Sequence, residues 1–289
     1  MIVVILVGGL GNQMFEYSAG RAMALRNGTE LVLNTHNGFQ RDRVYRRVFC
    51  LDVFNIKYIH RKLLSFDFPY GFILDKISRQ IGRHILFPWY RYLKEEKTTL
   101  KDVMAPIHHK HVILSGLWLS QDYFSDYTEE IRKEFTPTKP LSPEVESYVE
   151  KIRNSKIPVV AMGVRVYQEI KNQALRNSNY FYTNGDFYNN ALSFYKEKLG
   201  VFKLFIFTQA EDWVKQNVDL GGLDYEFIQT SHSDADAIND MYIMSRCHHY
   251  IMSNSTFYFW GAWLNKNRGN VIVPNNWEKT PLREWIRMS

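Results

Sequence analysis

The stretch IVVILVGGLGNQMFEYSAGRAMALR, residues 2–26, joins an apolar run to a glycine-rich turn and then to a segment with helical patterning. The run Ile2 to Val7 is far shorter than the roughly 18 apolar residues of a membrane span, and it lacks the basic flank of a signal peptide. It reads as a buried first strand, and the turn Gly8-Gly9-Leu10-Gly11 as its connection to a helix from about Gln13 to Arg26.

The residues after the turn narrow its chemistry. A Walker phosphate loop needs a lysine and a Ser or Thr after its last glycine, where this chain has Asn12 and Gln13. A dinucleotide fingerprint needs a third close-packing glycine, where Met14 stands, and an acid at the end of the second strand, where Asn34 stands. Small residues let a ligand approach the backbone, and two amides suit a neutral, hydroxyl-rich ligand because each offers donors and an acceptor without charge. The plainer alternative is a tight strand-to-helix turn with Asn12 as the helix cap.

The chain has 289 residues, 45% of them hydrophobic, which is enough apolar surface for one large or two ordinary cores. Its two cysteines, Cys50 and Cys247, form neither a metal-ligand spacing nor a disulfide framework, so a reducing compartment, the cytoplasm, is expected. The net charge of +6 favours anionic partners. Basic residues scatter through 41–47, 79–91 and 94–101 without a nucleic-acid-binding stripe, so the expectation is no nucleic acid and peripheral contact with an acidic membrane surface.

Strand and helix patterns alternate in both halves, which predicts an α/β protein with mostly parallel sheets. Strands ELVLN (30–34) and HVILSG (111–116) and a charged-faced helix over 122–135 complete the first half, while 40–105 shows no clear period. The segment TPTKPLSP, 136–143, carries three prolines and marks the boundary between domains 1–140 and 141–289. The second domain shows helical patterns over 143–154, 185–199, 210–217, 234–247 and 255–266. Its five strand patterns, at 158–164, 203–207, 225–228, 249–253 and 270–274, suit a doubly wound domain.

Two places in that domain carry chemistry. The run Ser253-Asn254-Ser255-Thr256 takes a strand into an aromatic helix beginning Phe257-Tyr258-Phe259-Trp260, and a helix N-terminus of that kind is an anion site. Arg165 follows strand 158–164, where parallel sheets bind ligands and where a guanidinium can grip two phosphate oxygens. Together they predict a diphosphate cradle without a metal. Asp234 and Asp236 offer a rival, an Asp-x-Asp motif for a metal-dependent glycosyltransferase, although acids at a helix start are expected in any case. A noncatalytic carbohydrate-binding protein is a third reading of the aromatic content, but Trp260 and Trp263 fit a helix core more simply.

The segments GGLGNQMFEYSAGRAMAL (8–25), FIFTQAEDWVKQN (205–217) and AINDMYIMSRCHHYIMSNSTF (237–257), with SNSTFYFWGAWLN (253–265), resemble the inverting α-1,2-fucosyltransferases of glycosyltransferase family 11. The resemblance implies a GT-B-like fold, two Rossmann-type domains facing across a cleft. It further implies GDP-fucose as donor, a galactose-terminated glycan as acceptor and no cofactor or metal. By the same resemblance Arg165 holds the diphosphate and Ser253, Asn254, Ser255, Thr256 and Phe257 line the donor pocket. Asp240 serves the guanine edge, and Gly9, Gly11, Asn12 and Gln13 face acceptor and fucose. The family's His-x-Arg-Arg-x-Asp pattern is replaced by Gly163-Val164-Arg165-Val166-Tyr167-Gln168, which leaves Glu169 as the nearest candidate for the catalytic base.

Overall fold

A computed structural model of the chain describes all residues except 36–37, 40–41, 43–44, 60–89, 110, 167–182, 231–235 and 278–279. The chain divides into two compact units, Met1–Thr138 and Lys139–Ser289.

In the first unit β1 (Ile2–Ile5) leads to helix α1 (Leu10–Arg26) and β2 (Leu31–Asn34). Then follow β3 (Tyr90–Lys94), α2 (Leu100–Met104), β4 (His111–Ser115) and α3 (Thr128–Glu134). The sheet has the order β2-β1-β4-β3 and is parallel throughout. Ile2, Val3 and Val4 are fully buried, as befits a central strand covered on both faces. Helix α1 lies tight against β1 because Gly20 has no side chain, and a Cβ there would collide with Val4. Tyr17 and Arg21 on α1 both reach Glu134 on α3, at 2.6 Å from the hydroxyl and 2.8 Å from Nη2, which ties the two helices together.

Two expectations are corrected in this unit. Helix α1 begins at Leu10, three residues before the expected start, with Gly9 as N-cap. Gly8 completes the turn alone at φ +73°, so the chain is helical at once and Asn12 lies in the first turn, not at the cap. The helix expected over 122–135 is broken into 3-10 turns at Gln121–Tyr123 and Ser125–Tyr127 before α3 begins.

In the second unit α4 (Pro143–Arg153) opens with Ser142 as N-cap, its hydroxyl accepting from Val145 N, and proline at the first helical position. Next come β5 (Val159–Val164), α5 (Gly185–Leu199), β6 (Lys203–Thr208), α6 (Glu211–Asn217) and β7 (Asp224–Ile228). The unit closes with α7 (Ala237–Met244), β8 (His249–Met252), α8 (Thr256–Trp263), β9 (Val271–Pro274) and β10 (Ile286–Met288). The sheet order is β7-β6-β5-β8-β9-β10, parallel throughout, which is the Rossmann arrangement. Among the described residues this sheet has six strands where the sequence suggested five, because β10 is a three-residue edge strand too short to show a period. Alternate strand residues such as Val160, Met162, Leu204, Ile206, Ile251 and Ile272 share one core with Leu192 of α5.

Trp260 and Trp263 are buried, their rings 5.0 Å apart, so these two tryptophans of α8 are core. Cys50 and Cys247 are both buried free thiols. Among the described residues no helix is long and apolar enough to cross a membrane.

Candidate functional site

The order of the second sheet reverses between β5 and β8: chain leaving β5 goes on to β6 and β7, and chain leaving β8 goes on to β9 and β10. At such a switch point the connections diverge to opposite faces, opening a crevice outside the carboxyl ends of the strands. Gly163 of β5 stands opposite Met252 of β8 in the ladder, so Arg165 and the turn from Ser253 to Thr256 emerge side by side.

Hydrogen bonds fix this corner. Arg165 N donates to the Ser253 hydroxyl at 3.0 Å, while Ser253 donates to the Gly163 carbonyl through its backbone N at 3.1 Å and through Oγ at 3.3 Å. Ser253 is buried, with its hydroxyl used as both donor and acceptor, so it sets the path of the Arg165 backbone. Asn254, also buried, donates to Asn276 Oδ1 at 3.3 Å. Arg165, Ser255, Thr256 and Phe257 are half-buried and form the accessible part of the corner.

The helix behind the corner is anchored as well. Tyr258, in the first turn of α8, donates its hydroxyl to the carbonyls of Val164 and Phe207, at 3.1 and 2.9 Å, at the carboxyl ends of β5 and β6. Its ring lies over Gly163, where a Cβ would come within 2.5 Å of it. Gly261 likewise lets Met244 of α7 approach α8 closely. The corner therefore brings Arg165 and the N-terminus of α8 together on a hydrogen-bonded frame, and a guanidinium and the positive end of a helix dipole both suit anionic oxygens.

Asp240 lies on α7, which follows β7 and packs against α8. Its Oδ1 accepts both the backbone N and the hydroxyl of Thr230, at 3.0 and 2.8 Å, so it holds the chain that leaves β7. Asp236 is the N-cap of α7, whereas Asp234 and Glu169 lie outside the described residues.

In the first unit the glycine turn stands at the carboxyl end of β1. The Asn12 side chain is packed against Gly8, and Gly9 and Asn12 are half-buried while Gly11 is buried. The expectation that Gln13 faces a sugar is corrected. Its side chain is fully buried, donating to Gly8 O and Val48 O at 2.9 and 2.8 Å and accepting from Cys50 N at 2.9 Å. Donors and acceptor are thus engaged by backbone from two segments, and Gln13 staples the loop 48–50 to the turn. Glu16, which sequence reasoning passed over, also reaches back: its Oε2 accepts Val7 N at 2.9 Å, while Oε1 is buried without a partner among the described residues. Burial holds this carboxyl well above the usual range, opposed by the Val7 bond and assisted by the charge of Glu95.

The family model described as glycosyl transferase family 11 matches residues 75–286. The chain belongs to that family. It is similar over its whole length to an α-1,2-colitosyltransferase of Escherichia coli, with 27% identity across 99% of that protein. The O-antigen biosynthesis glycosyltransferase WbnK of Escherichia coli is 24% identical over 98% of this chain and 99% of its own. Human galactoside α-(1,2)-fucosyltransferase 1 is 24% identical over 89% of this chain, which spans 63% of that protein's length. Two solved structures share the fold at 14% identity. FUT1 of Arabidopsis thaliana in complex with GDP has a TM-score of 0.57 and is covered over 69% of its length by 94% of this chain. NodZ α-1,6-fucosyltransferase soaked with GDP-fucose has a TM-score of 0.55, with 95% of this chain covering 94% of that one. The family 11 chain is therefore a glycosyltransferase with the GT-B-like α/β fold of these fucosyltransferase structures.

Proposed function

We propose that the protein transfers L-fucose from GDP-fucose to the 2-hydroxyl of a terminal galactose in an oligosaccharide or glycan precursor, with inversion and without a metal. The observation that carries this reading is the corner where Arg165 N meets Ser253 Oγ at the switch point of the Rossmann sheet, beside the N-terminus of α8.

In an inverting transfer the acceptor oxygen attacks the anomeric carbon as the bond to the diphosphate breaks, so negative charge grows on the leaving oxygens. Arg165 and the first turn of α8, from Thr256 and Phe257, stabilise that charge. Ser253 and Asn254 shape the wall behind them. Asp240, through its grip on Thr230, sets the rim that meets the guanine edge. Glu169 takes the proton from the acceptor hydroxyl, and the surface of Gly9 and Asn12, with buried Gly11 behind it, meets fucose and acceptor. A cytoplasmic protein in peripheral contact with acidic lipid fits the net charge of +6.

The deciding experiment is an acceptor screen with GDP-fucose and linkage analysis of the product. A 2-linked fucosyl galactoside of inverted configuration, formed equally well with excess EDTA, is the expected outcome. A different linkage or chelator-sensitive turnover refutes the corresponding part of the reading. The colitosyltransferase relative favours one second reading, in which activated colitose replaces fucose. Direct competition between the two donors decides between them.

A further inference from the structure

The loop that Gln13 staples to the glycine turn has features the transfer chemistry leaves unused. Asp42 shapes it with one carboxylate, accepting Tyr45 N through Oδ1 at 2.8 Å and Arg47 N through Oδ2 at 3.0 Å. The intervening Arg46 sits at φ +50°, a left-handed residue that turns the chain sharply. Gln13 then holds Val48 O and Cys50 N, so two backbone groups of the loop are bonded to the helix that follows the turn.

This geometry sets two side chains at the turn. The Arg47 guanidinium carbon lies 5.3 Å from the centre of the Tyr45 ring, within cation–π range. The same carbon would lie 3.8 Å from a Cβ at Gly9, so the guanidinium stands about one methyl group's width from the bare backbone of the turn. Tyr45 is 45% exposed and its neighbour Val48 55% exposed, large apolar surfaces left in water beside a cationic fork. An exposed aromatic ring offers an apolar face to the C–H side of a pyranose, and a guanidinium offers several N–H donors to hydroxyl oxygens. Stacking on Tyr45 pre-orients the guanidinium, which lowers the ordering cost of binding. All of this stands beyond the carboxyl end of β1, on the face of a parallel sheet where ligands bind.

We propose that Tyr45 and Arg47 form a pyranose subsite on the glycine turn that receives a non-reacting sugar of the acceptor glycan and sets acceptor specificity. The assignment of that sugar to an acceptor rests on the fucosyl-transfer reading; the sugar-binding surface itself does not.

The experiment therefore reads binding and turnover separately. Saturation-transfer NMR with lactose, N-acetyllactosamine and maltose as probes is compared across wild type, Tyr45→Ala, Arg47→Ala and Arg47→Lys, with melting curves to show that each variant is folded. Both residues are half-buried or exposed, so folded variants are expected. The proposal expects contact with at least one probe in the wild type and its loss in both alanine variants. In turnover it expects the KM for acceptor to rise about tenfold, the increment of one lost polar contact, with the KM for GDP-fucose unchanged. Arg47→Lys should recover only part of the loss, since an ammonium lacks the planar fork. Wild-type protein that binds none of the probes, or alanine variants that bind and turn over as wild type does, overturns the subsite. Probe binding that depends on Tyr45 and Arg47 without any fucosyl transfer would keep the subsite and overturn the transfer reading alone.

Discussion

The Ser253 hydroxyl accepts the backbone N–H of Arg165 at 3.0 Å, a contact between residues 88 positions apart that joins the ends of two adjacent strands. On the proposed role of Arg165 in holding the diphosphate, Arg165→Ala is expected to lower kcat about 100- to 1000-fold. Ser253→Ala keeps the guanidinium but leaves the Arg165 N–H and the Gly163 carbonyl without this partner, a loss of roughly 1–3 kcal/mol in stability. Its kcat should fall by a smaller factor, about tenfold, because only the aim of Arg165 is loosened. Steady-state kinetics with melting curves checks the order; a Ser253→Ala enzyme with wild-type stability and turnover would detach this hydrogen bond from the site.

Gly163 and Tyr258 form a matched pair. Gly163→Ala puts a methyl against the Tyr258 ring at 2.5 Å and must push α8 off the strand ends. Overpacking of this kind costs about 1–3 kcal/mol, and the displaced N-terminus of α8 should reduce donor affinity as well. Adding Tyr258→Ala removes the clash, so the double variant should be more stable than the sum of the single losses implies. Strict additivity in a double-mutant cycle would refute the contact.

Glu16 predicts a loss of stability with rising pH. Burial, and secondarily the charge of Glu95, keep its folded-state carboxyl protonated at pH values where the unfolded chain has already released the proton. Stability from this group is therefore greatest in acid and declines as pH rises from the ordinary carboxylate value to the raised one. Glu16→Gln retains an oxygen for the Val7 N–H and cannot ionise. It should melt higher than wild type at pH 8, with the difference shrinking towards pH 5. Melting curves that stay parallel across that range would show that Glu16 does not titrate with folding.

His248 and His249 predict the opposite limb. Each accepts a backbone N–H through Nδ1, from Val159 at 2.9 Å and from Asn270 at 3.0 Å, at the amino end of β8. Burial lowers both pKa values, and His249 is lowered further by His248 and Lys198. Their contribution is complete above the unfolded value of roughly 6.5 and is lost as pH falls through the lower folded values. Combining His248→Asn with His249→Asn supplies amide oxygens as acceptors that stay neutral, and should flatten the fall in melting temperature between pH 6.5 and 5. An unchanged slope would assign the acid limb to other groups.

What the sequence made legible follows the range of the interactions. Strand and helix patterns depend on neighbours a few residues away, and α5 lies over the residues its pattern marks, Gly185–Leu199. The rule that ligands gather at strand ends was enough to pair Arg165 with the turn after β8. The bond that pairs them crosses 88 positions and left no local trace. Gln13 illustrates the same limit: its partners Val48 and Cys50 lie 35 and 37 residues away, so a buried staple looked like an amide waiting for a sugar. The strand order was equally hidden, since every connection is a crossover and pairing is decided by packing. Glu16 carried no signal because an acid inside a helical pattern ordinarily faces water.

Both cysteines being enclosed has a practical corollary. Cys247 is walled in among apolar groups that push its thiol well up, and Cys50 is 2% exposed. Neither should react with maleimide while the protein is folded. A single cysteine introduced at an exposed position in each unit, for instance at Val201 in the second and Leu100 in the first, would then carry a fluorophore pair without background. The native chain is in this respect already prepared for measuring how the distance between its two halves responds to nucleotide.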